Sequence, residues 1–229
     1  MRNVNSNREV QRIISANALL SLLSPAEQDQ LAVTARLQHF AKGETFYEEY
    51  KAATDVWVLV SGQVKLVKFS DRGHALALEL MIPPEIFGAI FFTNYPFYPC
   101  TAIALQDAVA LKFRVAEFHL FLEKNVRLQK ATLAYTCMRL CHGQNMRGLA
   151  MEDVATRIGY VLIYLHGKFG EHIPHSRATL AELAGTTVET AIRVTRSLDG
   201  QGIIATKRGG ITVLSLERLH EFAYKTRHR

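Results

Sequence analysis

The stretch Ser176-Arg-Ala-Thr-Leu-Ala-Glu-Leu-Ala-Gly-Thr-Thr-Val-Glu-Thr-Ala-Ile-Arg-Val-Thr-Arg-Ser-Leu198 constrains the fold more than any other part of this chain. It splits at Gly185. Before the glycine, Leu180, Leu183 and Ala184 form an apolar side, and Ala181 is small enough for close helix contact. After it, Ala191, Val194 and Leu198 form a second apolar side. Glycine takes a positive φ without a steric penalty, so it suits a tight turn between two short helices. Such a pair is a helix-turn-helix. Ile203-Ile-Ala-Thr, Lys207-Arg-Gly-Gly210 and Ile211-Thr-Val-Leu follow and read as strand, turn and strand. The hairpin would be a wing with Lys207 and Arg208 at its tip, near phosphates.

The second helix would present Thr187, Val188, Glu189, Thr190 and Arg193 at its N-terminal end, where recognition helices touch bases. A glutamate accepts from cytosine N4 and an arginine donates to guanine O6 and N7. Glu189 and Arg193 are four residues apart, on one face, and could read one G·C pair together. Two other readings stand beside this one. Thr186-x-x-Glu189 has the form of a capping box, and Arg193 could form a surface ion pair with Glu189. Arg177, opening the first helix, is a further candidate DNA contact.

Upstream, Ser24-Pro25-Ala26-Glu27 has the form of a capping box with proline at the first helical position, so a helix is expected from there to about Leu37. Residues 43–115 change texture, with short apolar runs split by turn residues. Trp57-Val-Leu-Val60 and Val64-Lys-Leu-Val67 flank a Ser61-Gly62 turn; Ala75–Leu80 ends at Pro83-Pro84; Ala108–Phe113 is a later strand. Strands at roughly ten-residue spacing predict an antiparallel sandwich or barrel. From Ala116 to Arg147 there is no proline and only Gly143, which predicts one long helix. It carries two apolar stripes: Val126, Leu133 and Leu140, and Leu128, Ala131, Tyr135 and Met138. One stripe covers one surface, so two point to a helix lying between its own β domain and a partner helix. Residues 152–167 read as a further helix, with Val154, Ile158, Val161, Leu162 and Leu165 on its apolar side.

The totals exclude several classes. The N-terminus lacks the apolar core of a signal peptide, and no apolar run approaches the ~18 residues of a membrane helix. Three cysteines without a CxxC oppose a disulfide framework and favour a reducing cytoplasm. A net charge of +6 favours an anionic partner, nucleic acid first. No nucleophile elbow, P-loop, HExxH or dinucleotide fingerprint is present, so an enzyme is not expected.

These features in this order resemble the CRP/FNR superfamily of bacterial transcription regulators. The markers are Gly43-Glu44, Leu59-Val-Ser-Gly62, Phe87-Gly88, Leu149-Ala150 with Asp153-Val154 and Arg157, and Gly185-Thr-Thr-Val-Glu-Thr-Ala-Ile-Arg193. The resemblance implies an α+β chain: an N-terminal antiparallel β-roll of the cyclic-nucleotide-binding type with N-terminal helices (1–116), a long dimerisation helix (117–148) and a C-terminal winged helix-turn-helix (149–229). It implies a homodimer that binds double-stranded DNA and contacts RNA polymerase, with a hinge near Ala150–Asp153. Val188, Glu189 and Arg193 resemble the fumarate-nitrate branch, which implies a TTGA-like half-site. Ile192, where that branch often has serine, departs from the pattern at the position that bears on the outer base of the half-site. The alternatives are an effector-independent regulator, or a cyclic-nucleotide-like module acting on another protein.

The candidate effector pocket is Phe87, Gly88, Ala89, Tyr98, Pro99, Cys100, Tyr135, Met138 and His142. In cyclic-nucleotide members a glutamate holds the ribose and an Arg-Ser pair holds the phosphate; here Ala89, Tyr98 and Pro99 align with them. His142 and Gly143 align with the usual purine contacts. A buried phosphate without its arginine would be a costly desolvated anion, so cyclic AMP is not expected as the effector. Cys100, Cys137 and Cys141 cannot supply four cluster ligands within one chain, so a conventional iron–sulfur cluster is not expected. Three sensor readings stand: an apolar or gaseous effector or heme in the uncharged stretch 86–105, with His142, His39, His74 or His119 as heme-ligand candidates; thiol redox; or no effector.

Overall fold

The computed structural model describes residues 4–88 and 96–224, with side chains described from residue 8. The chain divides into two compact units: residues 1–68 with 79–140, and residues 69–78 with 141–229.

In the first unit, α1 (Val4–Ala16) and α2 (Pro25–Thr34) precede the strands. Ser24 caps α2 in the expected capping box: its hydroxyl accepts from the Glu27 N–H, and the Glu27 carboxylate accepts from the Ser24 N–H. The helix stops at Thr34 rather than near Leu37, because Leu37 is drawn into strand β1 (Arg36–Phe40), opposite Leu111. The remaining strands are β2 (Thr45–Tyr47), β3 (Asp55–Ser61), β4 (Val64–Phe69), β5 (Ala75–Met81), β6 (Ile86–Phe87), β7 (Thr101–Ala104) and β8 (Ala108–Arg114). They form two four-stranded sheets, β1-β8-β3-β6 and β2-β7-β4-β5. The Ser61-Gly62 turn therefore carries the chain from one sheet to the other and closes no hairpin.

β3 is buried on both faces. Val56 and Val58 point to a core shared with Leu20, Leu31, Phe113, Phe118 and Leu122. Trp57 points the other way, into an aromatic cluster with Phe40 and Phe46. Burial on both faces is why Val56-Trp-Val-Leu59 reads as an unbroken apolar run.

The long helix expected over 117–148 is two helices, α3 (Val115–Lys124) and α4 (Val126–Gly148). Asn125 breaks it: its backbone is extended, and its side-chain oxygen accepts the Leu128 N–H at 2.9 Å as a cap for α4. Neither proline nor glycine is needed where asparagine can replace a helical hydrogen bond with its own side chain. On α4, Leu128 is fully buried and Ala131 and Tyr135 pack on the core. Met138 does not continue that stripe and is 62% exposed. Arg139, a full four residues past Tyr135, takes the inward place and pairs with Glu79 at 2.6 Å. The other stripe, Val126, Leu133 and Leu140, is exposed.

In the second unit, a 3-10 turn (Leu149–Met151) leads to α5 (Val154–Phe169), whose cap is Asp153. Then come β9 (His172–Ile173), α6 (Arg177–Ala184), α7 (Val188–Gly200), β10 (Ile204–Lys207), β11 (Gly210–Val213) and α8 (Leu216–Tyr224). The expected hairpin is present, with Lys207 opposite Gly210, and β9 adds a third strand beside β11.

Candidate nucleic-acid interface and sensor site

Gly185 ends α6 at φ +59°, ψ +49°. The Thr186 N–H reaches back to the Ala181 carbonyl at 3.0 Å and the Gly185 N–H to Glu182 at 3.4 Å. This double return is a Schellman motif, and its left-handed residue is the reason for glycine. Arg157 of α5 locks the turn from outside, its guanidinium donating to the carbonyls of Ala184 (2.9 Å), Glu152 (3.2 Å) and Gly185 (3.3 Å). Thr195 is fully buried and binds its own helix through the Ala191 carbonyl, while Arg177 Nε donates to its hydroxyl at 3.3 Å. Arg177 thus ties α6 to α7.

The cap of α7 is Thr187, one residue later than the Thr186-x-x-Glu189 box would place it. Its hydroxyl accepts the Thr190 N–H at 3.3 Å and donates to the Thr190 hydroxyl at 3.2 Å. Glu189 is thereby released from capping. Glu189 and Arg193 are both exposed, and among the described residues no ion pair joins them. Val188 beside them is 39% exposed. The exposed Arg196, seven residues from Glu189 and so on the same face, was missed in the sequence; helical period alone points to it. Lys207 and Arg208 are exposed at the hairpin tip, as the wing reading expects.

Within the uncharged stretch, Phe87 is fully buried. Gly88 follows at φ +72°, where a Cβ would meet the Asp55 carbonyl and the Trp57 ring at 3.1 Å. Tyr98 is buried and stacks on Tyr47, ring centres 3.9 Å apart. Its hydroxyl donates to the Asp55 carbonyl at 2.9 Å and accepts from the Asp55 N–H at 3.1 Å. Cys100 is buried nearby, and desolvation pushes its thiol up to about 11. Tyr135 donates to the Ile86 carbonyl at 3.2 Å, and burial pushes its phenol up to about 12. Pro99 is exposed and begins a bend between Tyr98 and β7; Ala89 lies outside the described residues.

The His142 ring stacks on Tyr164 of α5 with ring centres 4.5 Å apart. His119 pairs with Glu123 at 3.2 Å, and His39 and His74 are exposed. Among the described residues no group of three or more His, Cys, Asp or Glu side chains could hold a metal. Among the described pocket candidates, Cys100 is buried and held protonated, and a protonated thiol is a poor metal ligand.

Two family models match the chain: a cyclic nucleotide-binding domain over residues 37–125 and a Crp-like helix-turn-helix domain over residues 156–222. Together they span more than half of its length. The nitrogen fixation regulation protein FixK of Bradyrhizobium diazoefficiens is 26% identical over 219 residues, covering 92% of this chain and 91% of that one. The chain belongs to the CRP/FNR superfamily of transcription regulators. The cyclic AMP receptor protein of Thermus thermophilus is also 26% identical, over 88% of this chain and 94% of its own. The structure of FixK2 from Bradyrhizobium japonicum shares the fold, with a TM-score of 0.76 at 22% identity, over 82% of this chain and 96% of that one.

The superfamily consists of DNA-binding regulators rather than enzymes, and no helix among the described residues is long and apolar enough to cross a membrane. Tyr98, within the span matched by the cyclic nucleotide-binding model, is held by the backbone of Asp55. Tyr47 and Asp55 were missed as its holders. The available signal was an acid inside an apolar strand, since a buried carboxylate needs partners and so marks a local network; here Lys112 lies 3.0 Å away and the Thr54 hydroxyl 2.8 Å.

Proposed function

We propose that this CRP/FNR regulator acts as a cytoplasmic homodimer that reads a TTGA-like palindrome and answers to a signal other than cyclic AMP. The observation that carries the DNA reading is the cap of α7. Because Thr187 and Thr190 satisfy each other, Glu189 and Arg193 stand exposed and uncommitted on one face. Glu189 accepts from a cytosine and Arg193 donates to the paired guanine, with Val188 available for a thymine methyl. Arg196, Lys207 and Arg208 contact phosphates and set register. Thr187, Thr190 and Arg177 serve by shaping the helix end.

The exposed stripe Val126, Leu133 and Leu140 supports the dimer, because α4 buries its opposite side in its own protomer. Two recognition helices on one duplex then meet half-sites one helical turn apart. RNA polymerase is the partner that the family resemblance adds. Against cyclic AMP, Tyr98, which aligns with the family's phosphate-binding arginine, brings no cation and is already bonded to the Asp55 backbone. Among the other signals, thiol oxidation is favoured over heme: Cys137 and Cys141 are exposed, while the His142 ring is stacked on Tyr164 and His119 is paired with Glu123.

A gel shift on a TTGA palindrome tests the DNA reading. Glu189→Ala and Arg193→Ala should each lose about 1–3 kcal/mol, roughly 5- to 150-fold in affinity, and relax specificity at one base pair. A binding selection returning an unrelated half-site would overturn it. Leu133→Asp should yield a folded monomer in sedimentation. Calorimetric titration with cyclic AMP should show no binding, and a Soret band in the purified protein would reinstate heme.

A further inference from the structure

We infer that Cys137 is a redox modification site: in the dimer it meets Cys137 of the partner subunit, and the two thiols form an intersubunit disulfide. The inference rests on the homodimer proposed above.

The outward face of α4 carries Val126, Leu133 and Leu140 at seven-residue spacing. Four residues after each comes Lys130, Cys137 and Gln144, and all six are exposed. Alternating steps of four and three are the seam of a coiled coil. The opposite face is already used, by Leu128, Thr132, Tyr135 and Arg139. A second copy fits this seam because the seam is self-complementary. Both copies must deliver a recognition helix to the same duplex, so the two helices run parallel about the two-fold axis and each seam residue faces its own counterpart.

Cys137 sits between Leu133 and Leu140 at the centre of that seam. Packed helices lie about 8–10 Å apart and Cα atoms lie about 2.3 Å from each axis, which leaves roughly 4–6 Å between Cα atoms flanking the line of centres. A disulfide needs about 4.4–6.8 Å. Cys141, one turn on, is rotated to the flank of the seam, where the two copies diverge. Cys100 is buried, and desolvation holds it protonated at neutral pH.

The oxidant is a low-molecular-weight disulfide. The thiolate of Cys137 attacks one of its sulfurs, forming a mixed disulfide and releasing one thiol. The thiolate of Cys137 of the partner subunit then attacks the Cys137 sulfur and releases the second thiol. Two protein thiols lose two electrons, the small disulfide gains them, and the two protons end on the released thiols. The product locks the dimer covalently half-way along α4.

The test uses the full chain and its Cys137→Ser, Cys141→Ser and Cys100→Ser variants. Each is treated with oxidised glutathione and run on a denaturing gel without reductant, beside sedimentation of the reduced proteins. The parent chain, Cys141→Ser and Cys100→Ser should give a species of twice the mass that dithiothreitol removes, and Cys137→Ser should lose it. Cross-linking that survives in Cys137→Ser, or glutathione adducts without a cross-link in a protein that sediments as a dimer, would overturn the inference alone. A reduced protein that sediments as a monomer would overturn the dimer reading instead.

Discussion

Arg157 offers the sharpest test of how the recognition helix is held. Its guanidinium donates to three carbonyls, two of them, Ala184 and Gly185, at the end of α6 where helical partners run out. Arg157→Met keeps the packing of the stem and deletes all three donors. A hydrogen bond to a charged group contributes about 1.5–3 kcal/mol, but the sum is not additive and water reaches the Gly185 side. The buried Ala184 carbonyl carries most of the loss, so about 2 kcal/mol is expected, close to 30-fold in an opening equilibrium. Tryptophan fluorescence would miss it, because the one tryptophan, Trp57, lies in the other unit. Hydrogen exchange with mass spectrometry reads it directly. Peptides over 177–200 should exchange roughly 30-fold faster, while those over 55–61 stay unchanged. Arg157→Lys should recover only part, since an ammonium lacks the planar fork. If Arg157→Met left exchange unchanged, or if Arg157→Lys restored it fully, the locking role would be wrong.

Three further outcomes follow from single contacts. Tyr98→Phe orphans the Asp55 N–H in a dry site and should cost about 1–3 kcal/mol, read as a lower urea midpoint of the Trp57 signal. Thr187→Ala removes the cap of α7 and should cost about 1 kcal/mol, with faster exchange in the first turn of that helix and weaker DNA binding. Burial pushes the imidazole of His175 down to about 4, against 6.5 when unfolded. The unfolded chain takes up that proton first, so stability of the second unit is complete above about pH 6.5 and falls progressively towards pH 4. His175→Phe should flatten that slope in circular dichroism melts, and an unchanged slope would refute the assignment.

The legible parts of the sequence were those whose signals lie within a few residues. Ser24 with Glu27, Gly185, and the Lys207–Gly210 turn each set local backbone geometry, and each appears where it was read. The break at Asn125 was missed because proline and glycine were taken as the markers of a helix end, and a capping side chain does the same. β9 and α8 were missed as well: a two-residue strand has no period, and α8 lies beyond the pattern that drew attention. Met138 was set on the inner stripe by a spacing of three where the helix, by then drifting, used the spacing of four that places Arg139 there.

By itself the sequence determined the winged helix-turn-helix, the antiparallel character of the sensor unit and the family. Those follow from periodicity, turn residues and the presence or absence of particular side chains, all of which are properties of the string. Only the tertiary structure decided that Tyr98 is held by Asp55, that Thr187 rather than Thr186 caps α7 and so leaves Glu189 open, and that one stripe of α4 is buried while the other is bare. The partners in the first case lie 43 residues apart. No local preference encodes such a pairing; it exists because two sheets close over one aromatic core.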